Sequence, residues 1–374
     1  MKFQVPSKEL YNLTSAVSKI ISSKTAIQIL NNFLLTLEGD TLTVKAEDME
    51  NYLLGRINVT EAEGSGSFCM DAMRLVELLK LIPSQGITFE VNDKNEVEVS
   101  YSNGRYRTMA INGDEFPSTE ANEDAGQTIS FTAPASVIIH GMESTIFAVG
   151  NDEIRPQLNG VLWDIKPDKV IFVSTDTRTL VRCINTAVEP GDECSFILPL
   201  KGANILKNVF SGAENIKVTV SSVNVVFESE DYTFDCRLIK GNYPDYDRVI
   251  PKNNPYTLSV DCQTFLSAVR RVAIGGDEGS NLIKFTFENQ TFNLSSVEAG
   301  YNTSGFENVP CNYDGPNLVM GFDGSFLIDI LSTFKSSDVM MCIADPSRPA
   351  LLTPIEKAPD TELSIILMPM NIIA

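Results

Sequence analysis

The sequence predicts an α+β protein of three similar domains, each with two helices packed on antiparallel sheet. Three observations predict it. Phe3 and Val5 alternate with polar neighbours and then give way to Leu10, Leu13, Val17 and Ile20, so a period of two becomes one near 3.6. This opening returns about 128 residues on, where Phe131-Thr132-Ala133-Pro134 precedes Ile138, Met142, Ile146 and Val149. It returns again about 127 residues later, where Leu258-Ser259-Val260-Asp261 precedes Phe265, Ala268, Val269 and Val272. A second landmark keeps nearly the same spacing: Met70-Asp71 before Leu75, Leu78 and Leu79, Leu198-Pro199 before Ala203 and Leu206, and Phe322-Asp323 before Leu327, Ile330 and Leu331. A third, Gly113 with Phe116-Pro117, matches Gly241 with Tyr243-Pro244. Single short similarities arise by chance, but shared spacing marks an internal repeat.

The first domain, 1–126, opens on a strand and a helix from about Ser7 to Ile21. Strands follow at Phe33 to Leu37, Thr41 to Val44 and Tyr52 to Leu54, with Gly39-Asp40 turning the first hairpin. A helix over 71–81 is closed by Pro83, and strands near Ile87 to Val91, Val97 to Val99 and Arg105 to Arg107 complete the copy. The acidic, glycine-containing stretch Ser118 to Gln127 has no apolar period and marks a boundary. The second domain, 127–254, repeats the order with strands near Val161, Val170 to Val173 and Thr179 to Val181, a helix over 201–210, and strands near Ile216, Val225 and Tyr232. Gly141 interrupts its first helix, which points to close backbone packing. Pro251 to Pro255 forms the second boundary. The third domain, 255–374, has strands at Ile283 to Phe287, Thr291 to Leu294 and Val339 to Ile343, a helix over 325–334, and a final run from Ser364 to Met370.

At 374 residues and 43% apolar composition, the chain can bury several cores. No apolar run approaches the ~20 residues of a membrane helix, and Met1-Lys2-Phe3-Gln4 lacks a signal-peptide apolar region, so a cytoplasmic protein without membrane contact is expected. Seven cysteines, Cys69, Cys183, Cys194, Cys236, Cys262, Cys311 and Cys342, form no CxxC pair and read as buried thiols. A formal charge of -20 opposes a broadly basic surface gripping nucleic acid.

Chemistry is hard to find. His140 is the lone histidine, inside a helical pattern, which argues against Ser-His-Asp, Cys-His and histidine metal sites. The pairs Asp152-Glu153, Asp114-Glu115 and Asp277-Glu278 read as solvated loop acids in a chain with 49 carboxylates. No phosphate-binding or calcium-loop pattern occurs, and Glu63-Gly64-Ser65-Gly66 is a turn. No catalytic activity, cofactor or metal is expected, and a scaffold or binding protein fits best. A β-rich surface or carbohydrate-binding protein and an acid/base hydrolase remain the rivals.

Geometry adds an implication. Six helices facing one axis would enclose a bore of only ~10 Å at a helix diameter of about 10 Å. Twelve, from two chains, would enclose roughly 28 Å, wide enough for a duplex whose groove depths sum to ~16 Å.

Several segments together resemble the bacterial DNA polymerase III beta subunit family. They are Met1-Lys2-Phe3, Phe116-Pro117, Arg155-Pro156-Gln157-Leu158-Asn159-Gly160-Val161, Ser174-Thr175-Asp176, Pro199-Leu200-Lys201-Gly202, Tyr243-Pro244-Asp245-Tyr246-Asp247-Arg248-Val249-Ile250-Pro251 and Leu367-Met368-Pro369-Met370. The resemblance runs the whole length in one order. It implies a DNA polymerase processivity factor: a DNA clamp fold that closes as a head-to-tail homodimer ring, with helices lining the hole around double-stranded DNA. It also implies a clamp loader and a tethered replicative DNA polymerase subunit as partners, with repair polymerases, ligase and mismatch-repair proteins besides. Encirclement reconciles the acidic chain with DNA, since weak sequence-independent phosphate contacts suffice for sliding.

Candidate DNA-facing cations are Lys24, Arg155, Lys201, Lys207, Arg270 and Arg271; the family usually has basic residues at the first and third of these. A partner-peptide pocket between the second and third domains is implied at Leu158, Thr175, Leu180, Pro244, Arg248 and Val249, completed by Met368, Pro369 and Met370. Thioethers and prolines suit an adaptable apolar groove. Many family members read Gly-His-Arg where this chain has Thr177-Arg178-Thr179, and Asn371-Ile372 replaces a common Arg-Leu, so the resemblance does not carry over the peptide preference. For the dimer contact the resemblance points to Arg74, Leu78 and Tyr106 meeting Ile274, with edge strands pairing across chains.

Overall fold

The repeated landmarks are the places where a strand hands over to a helix. The computed structural model describes residues 1–22, 25–117, 128–277, 279–288, 290–298 and 300–372. The helices are α1 (Ser7–Val17), α2 (Ala72–Leu81), α3 (Ala135–Thr145), α4 (Leu200–Val209), α5 (Cys262–Ala273) and α6 (Gly324–Thr333). Three start on an aspartate. The Asp71 carboxylate accepts the Arg74 N–H at 2.9 Å, Asp261 accepts that of Thr264 at 2.7 Å, and Asp323 accepts that of Ser325 at 2.9 Å. Each cap contributes about 1 kcal/mol. Helix α1 opens differently, after Pro6. Its buried Ser7 donates the backbone N–H to Gln85 O at 2.8 Å and the hydroxyl to Pro83 O at 3.0 Å.

The expected helix to Ile21 ends at Val17, and a 3-10 turn, Ser18–Ile20, carries Ile20 into the core. The other expected helices agree to within a residue, the expected 71–81 helix starting at Ala72 because Asp71 is its cap.

The chain folds as two compact units, the first from Met1–Ile139 and Asn204–Leu238, the second from His140–Ala203 and Ile239–Ala374. Strand pairing decides this grouping. In the first unit, Asn51–Asn58 pairs antiparallel with Tyr232–Arg237, placing Leu53 opposite Phe234. One nine-stranded sheet therefore carries strands of the first and second repeats. In the second unit, Thr179–Asn185 pairs with Thr361–Leu367, placing Leu180 opposite Ile366, and a second nine-stranded sheet joins strands of the second and third repeats. A five-stranded sheet completes the first unit and a four-stranded sheet the second. Helices α1 and α2 pack together in the first unit, as α5 and α6 do in the second.

The strand alternation is written in burial. Leu35 and Leu37 face inward while Leu34 and Thr36 lie half-exposed, and in the core of the four-stranded sheet Phe285 stacks with Phe287 and Phe292 and meets Phe322 edge-on. Several strands escape the sequence signal, among them Thr303–Pro310, whose Thr-Ser-Gly-Phe-Glu-Asn-Val-Pro lacks apolar alternation. It is a sheet edge and buries little.

Candidate functional site

A loop, a turn, an irregular segment and the last strand converge in the second unit around a cavity of about 520 Å³. The loop carries Arg155 and Leu158, the turn runs from Thr175 to Leu180, the segment from Tyr243 to Val249, and Ile366 and Met368 come from the last strand and just beyond it. Its apolar lining comes from Leu158, Leu180, Pro244, Val249, Ile366 and Met368. Leu158 and Leu180 are buried, whereas Val249 and Met368 are exposed, so the floor is fixed and the rim open.

Polar contacts hold the walls. Thr175 donates its hydroxyl to Thr179 O at 2.7 Å and accepts the Thr177 N–H at 3.0 Å. Asp176 accepts the N–H groups of Arg178 at 2.9 Å and Thr179 at 2.6 Å, and Met368 donates its N–H to Arg178 O at 2.8 Å. Opposite, Tyr246 donates its hydroxyl to Asp164 at 2.7 Å, while Arg182 bridges Asp247 at 3.2 Å and Glu362 at 2.8 Å. The segment carrying Pro244 and Val249 is thus tied to the sheet by side chains, since it has no strand partner.

The rim is cationic but mostly neutralised. Arg155 donates twice to one Asp152 oxygen, at 2.9 and 2.7 Å, and Arg248 pairs with Asp245 at 2.7 Å. The Arg155 backbone N–H, then its guanidinium, hold the Asp152 carboxyl below the usual carboxylate range. Asp152 of the paired acids is therefore a turn former and counter-ion.

Of the expected pocket residues, Leu158, Thr175, Leu180, Pro244, Arg248, Val249 and Met368 line the cavity, and Pro369 and Met370 do not. Met370 instead donates its N–H to Gly321 O at 2.8 Å, because just past Met368 the chain crosses to the strand Leu318–Asp323 of the four-stranded sheet. Tyr243, Tyr246 and Pro349 line it unexpectedly. The two tyrosines lie in a motif the sequence already singles out. Pro349 carries no local signal, because only the pairing of Ala350–Pro354 with Thr361–Leu367 brings it there.

The candidate cations fall on several elements. Lys24 lies outside the described residues. Lys201 and Lys207 are half-buried on α4, Arg270 is exposed on α5 with a contact to Ser332 at 3.4 Å, and Arg271 is bound to Glu307 at 2.9 and 2.5 Å. Arg155 stands at the cavity rim. Arg74 and Leu78 lie on α2, Tyr106 on the edge strand Gly104–Met109, and Ile274 at the end of α5 with 84% of its surface exposed.

Reactive chemistry is sparse. Among the described residues no three His, Cys, Asp or Glu side chains gather as metal ligands. Burial, then the nearby Lys335 charge, push the half-buried His140 below its usual range, so it stays neutral. The cysteines are free, and burial pushes the Cys183 thiol up to about 12. A larger recess of about 1000 Å³ in the first unit is lined by charges that pair among themselves, as Lys2 with Glu90 at 2.7 Å and Arg107 with Glu98. No helix of the described residues is long and apolar enough to cross a membrane.

A repeat-built α+β chain with helices on antiparallel sheets and an apolar groove has the DNA clamp fold. The match to family models covers nearly the whole chain: DNA polymerase III beta subunit, N-terminal domain over residues 1–120, central domain over 132–245 and C-terminal domain over 247–371. The chain belongs to the DNA polymerase III beta subunit family, the non-enzymatic processivity factors of DNA replication. Beta sliding clamps of Escherichia coli strain K12 and Pseudomonas putida are 26% and 25% identical to it, each over 100% of both chains. The crystal structure of the DNA polymerase III subunit beta from Pseudomonas aeruginosa superposes with a TM-score of 0.90 at 25% identity, covering 100% of both chains. That of the Bacillus subtilis sliding clamp gives 0.90 at 21%, again over 100% of both chains.

Proposed function

We propose that two copies of this chain close head to tail into a ring that encircles duplex DNA and slides on it. In this reading three domains, 1–126, 127–254 and 255–374, each supply two helices to the inner surface. The observation that carries it is a pair of open sheet edges. Gly104–Met109 ends the five-stranded sheet and Thr303–Pro310 ends the four-stranded one. Exposed apolar side chains flank both: Met109 on the first, Ile274 and Phe306 at the second. Unpaired edges rimmed by apolar surface favour strand addition by a second copy. Arg74, Leu78 and Tyr106 would then meet Ile274 of the other copy.

Lys24, Arg155, Lys201, Lys207, Arg270 and Arg271 would supply the weak phosphate contacts. Because Arg155 and Arg271 are engaged by Asp152 and Glu307, Lys207 and Arg270 would carry more of that attraction. The groove around Leu180 and Met368 would receive a peptide from the replicative polymerase and, by turns, from the clamp loader, repair polymerases, ligase and mismatch-repair proteins. All of this would take place in the cytoplasm, without cofactor or metal.

The decisive experiment loads the protein onto nicked circular DNA and then linearises it. Encirclement predicts that the protein stays on circles and runs off linear ends. Retention on linear DNA would overturn it.

A further inference from the structure

We infer that Arg178 makes the groove selective for peptides carrying an acidic side chain beside their apolar anchors. The inference rests on the groove being a peptide site, as proposed above. Three guanidinium groups stand in its lining, those of Arg155, Arg178 and Arg248. Two are answered within the chain, Arg155 by Asp152 at 2.7 Å and Arg248 by Asp245 at 2.7 Å. Arg178 is exposed and makes no ion pair among the described residues. Its charge is therefore the one at this rim left for a ligand.

The backbone beneath it is held at a cost. Thr177 has φ of 81°, a region that β-branched residues avoid. Such a conformation persists only where its surroundings over-determine it, and here they do. Thr175 and Asp176 accept the N–H groups of Thr177, Arg178 and Thr179, and the Arg178 carbonyl accepts from Met368. The guanidinium is thus mounted on a fixed turn that shares a hydrogen bond with the far wall of the groove.

The chain's charge of -20 would repel an acidic peptide at long range. At physiological salt, exposed charges beyond a Debye length of ~8 Å are largely screened, so the local cation decides. A carboxylate contact partly covered by a bound peptide should improve affinity about tenfold, since charge-assisted bonds exceed exposed ion pairs.

The test pans a displayed random peptide library against the immobilised full-length protein, then measures labelled winners by anisotropy with wild type, R178A and R178K. Each winner is paired with a peptide in which Asp becomes Asn or Glu becomes Gln. The expected result is acidic enrichment with wild type, about tenfold weaker binding of the neutral peptide, no such difference with R178A, and partial recovery with R178K. The acidic peptide alone should weaken as salt rises. Groove binding, abolished by L180D, without acidic preference, or with a preference that R178A retains, overturns the role of Arg178. No peptide sensitive to L180D overturns the groove itself.

Discussion

Tyr246 donates its hydroxyl to Asp164 at 2.7 Å and so ties the irregular segment carrying Pro244 and Val249 to the large sheet of the second unit. Burial, then the neighbouring Asp164, push the phenol above its ordinary range, so it remains a donor at physiological pH. Y246F should leave the fold intact at a cost of about 1 kcal/mol, because Asp164 keeps Lys166 at 3.3 Å. Peptide affinity should fall severalfold as the wall loosens. Thermal unfolding and anisotropy on one preparation check both; a large stability loss with unchanged affinity would contradict this.

Gly141 lies in α3 where alanine would ordinarily help by up to about 1 kcal/mol. A Cβ there would stand 2.4 Å from the Phe172 ring, itself packed edge-on to Trp163 at 4.7 Å. G141A should therefore destabilise by roughly 1–3 kcal/mol, and adding F172L should recover part of the loss. The single tryptophan, Trp163, is fully buried and reports the transition by fluorescence. Increased stability in G141A would show that the ring yields freely.

Truncation after Leu367 removes Met368 from the groove and the Met370 bond to Gly321, but spares the last strand, Thr361–Leu367. Peptide binding should be lost while self-association and circular dichroism are kept. Undiminished binding would remove Met368 from the site.

Ile274 is 84% exposed beside the open edge Thr303–Pro310. I274D should shift the protein from dimer to monomer in sedimentation, because a carboxylate buried in an apolar contact is strongly disfavoured. The monomer's thermal midpoint should be near that of free wild-type protomer. A dimer of undiminished strength would place the interface elsewhere.

Glu307 on that edge strand is held by Arg271, whose hydrogen bond keeps its carboxyl below the ordinary value of 4.5. A depressed folded-state value means stability that is present above about pH 4.5 and lost as pH falls through the lower folded value. E307Q should shrink the difference in melting temperature between about pH 6 and pH 3.5, without abolishing it, as Glu98 and Asp152 are depressed too. An unchanged difference would mean the pair is fully screened.

The sequence by itself determined the repeat and the α+β class, while the groove's residues came from the family resemblance. Those are legible because a strand-to-helix handover needs a local change of period and a cap, as at Met70-Asp71 and Phe322-Asp323, and local chemistry is written in consecutive residues. The close packing at Gly141 was legible too. The tertiary structure alone decided that Asn51–Asn58 continues into Tyr232–Arg237 and Thr179–Asn185 into Thr361–Leu367, since backbone pairing between distant strands leaves no mark on side-chain pattern. It alone turned Met370 away toward Gly321 and brought Pro349 to the rim. Such pairings depend on distances between parts of the chain that only packing brings together.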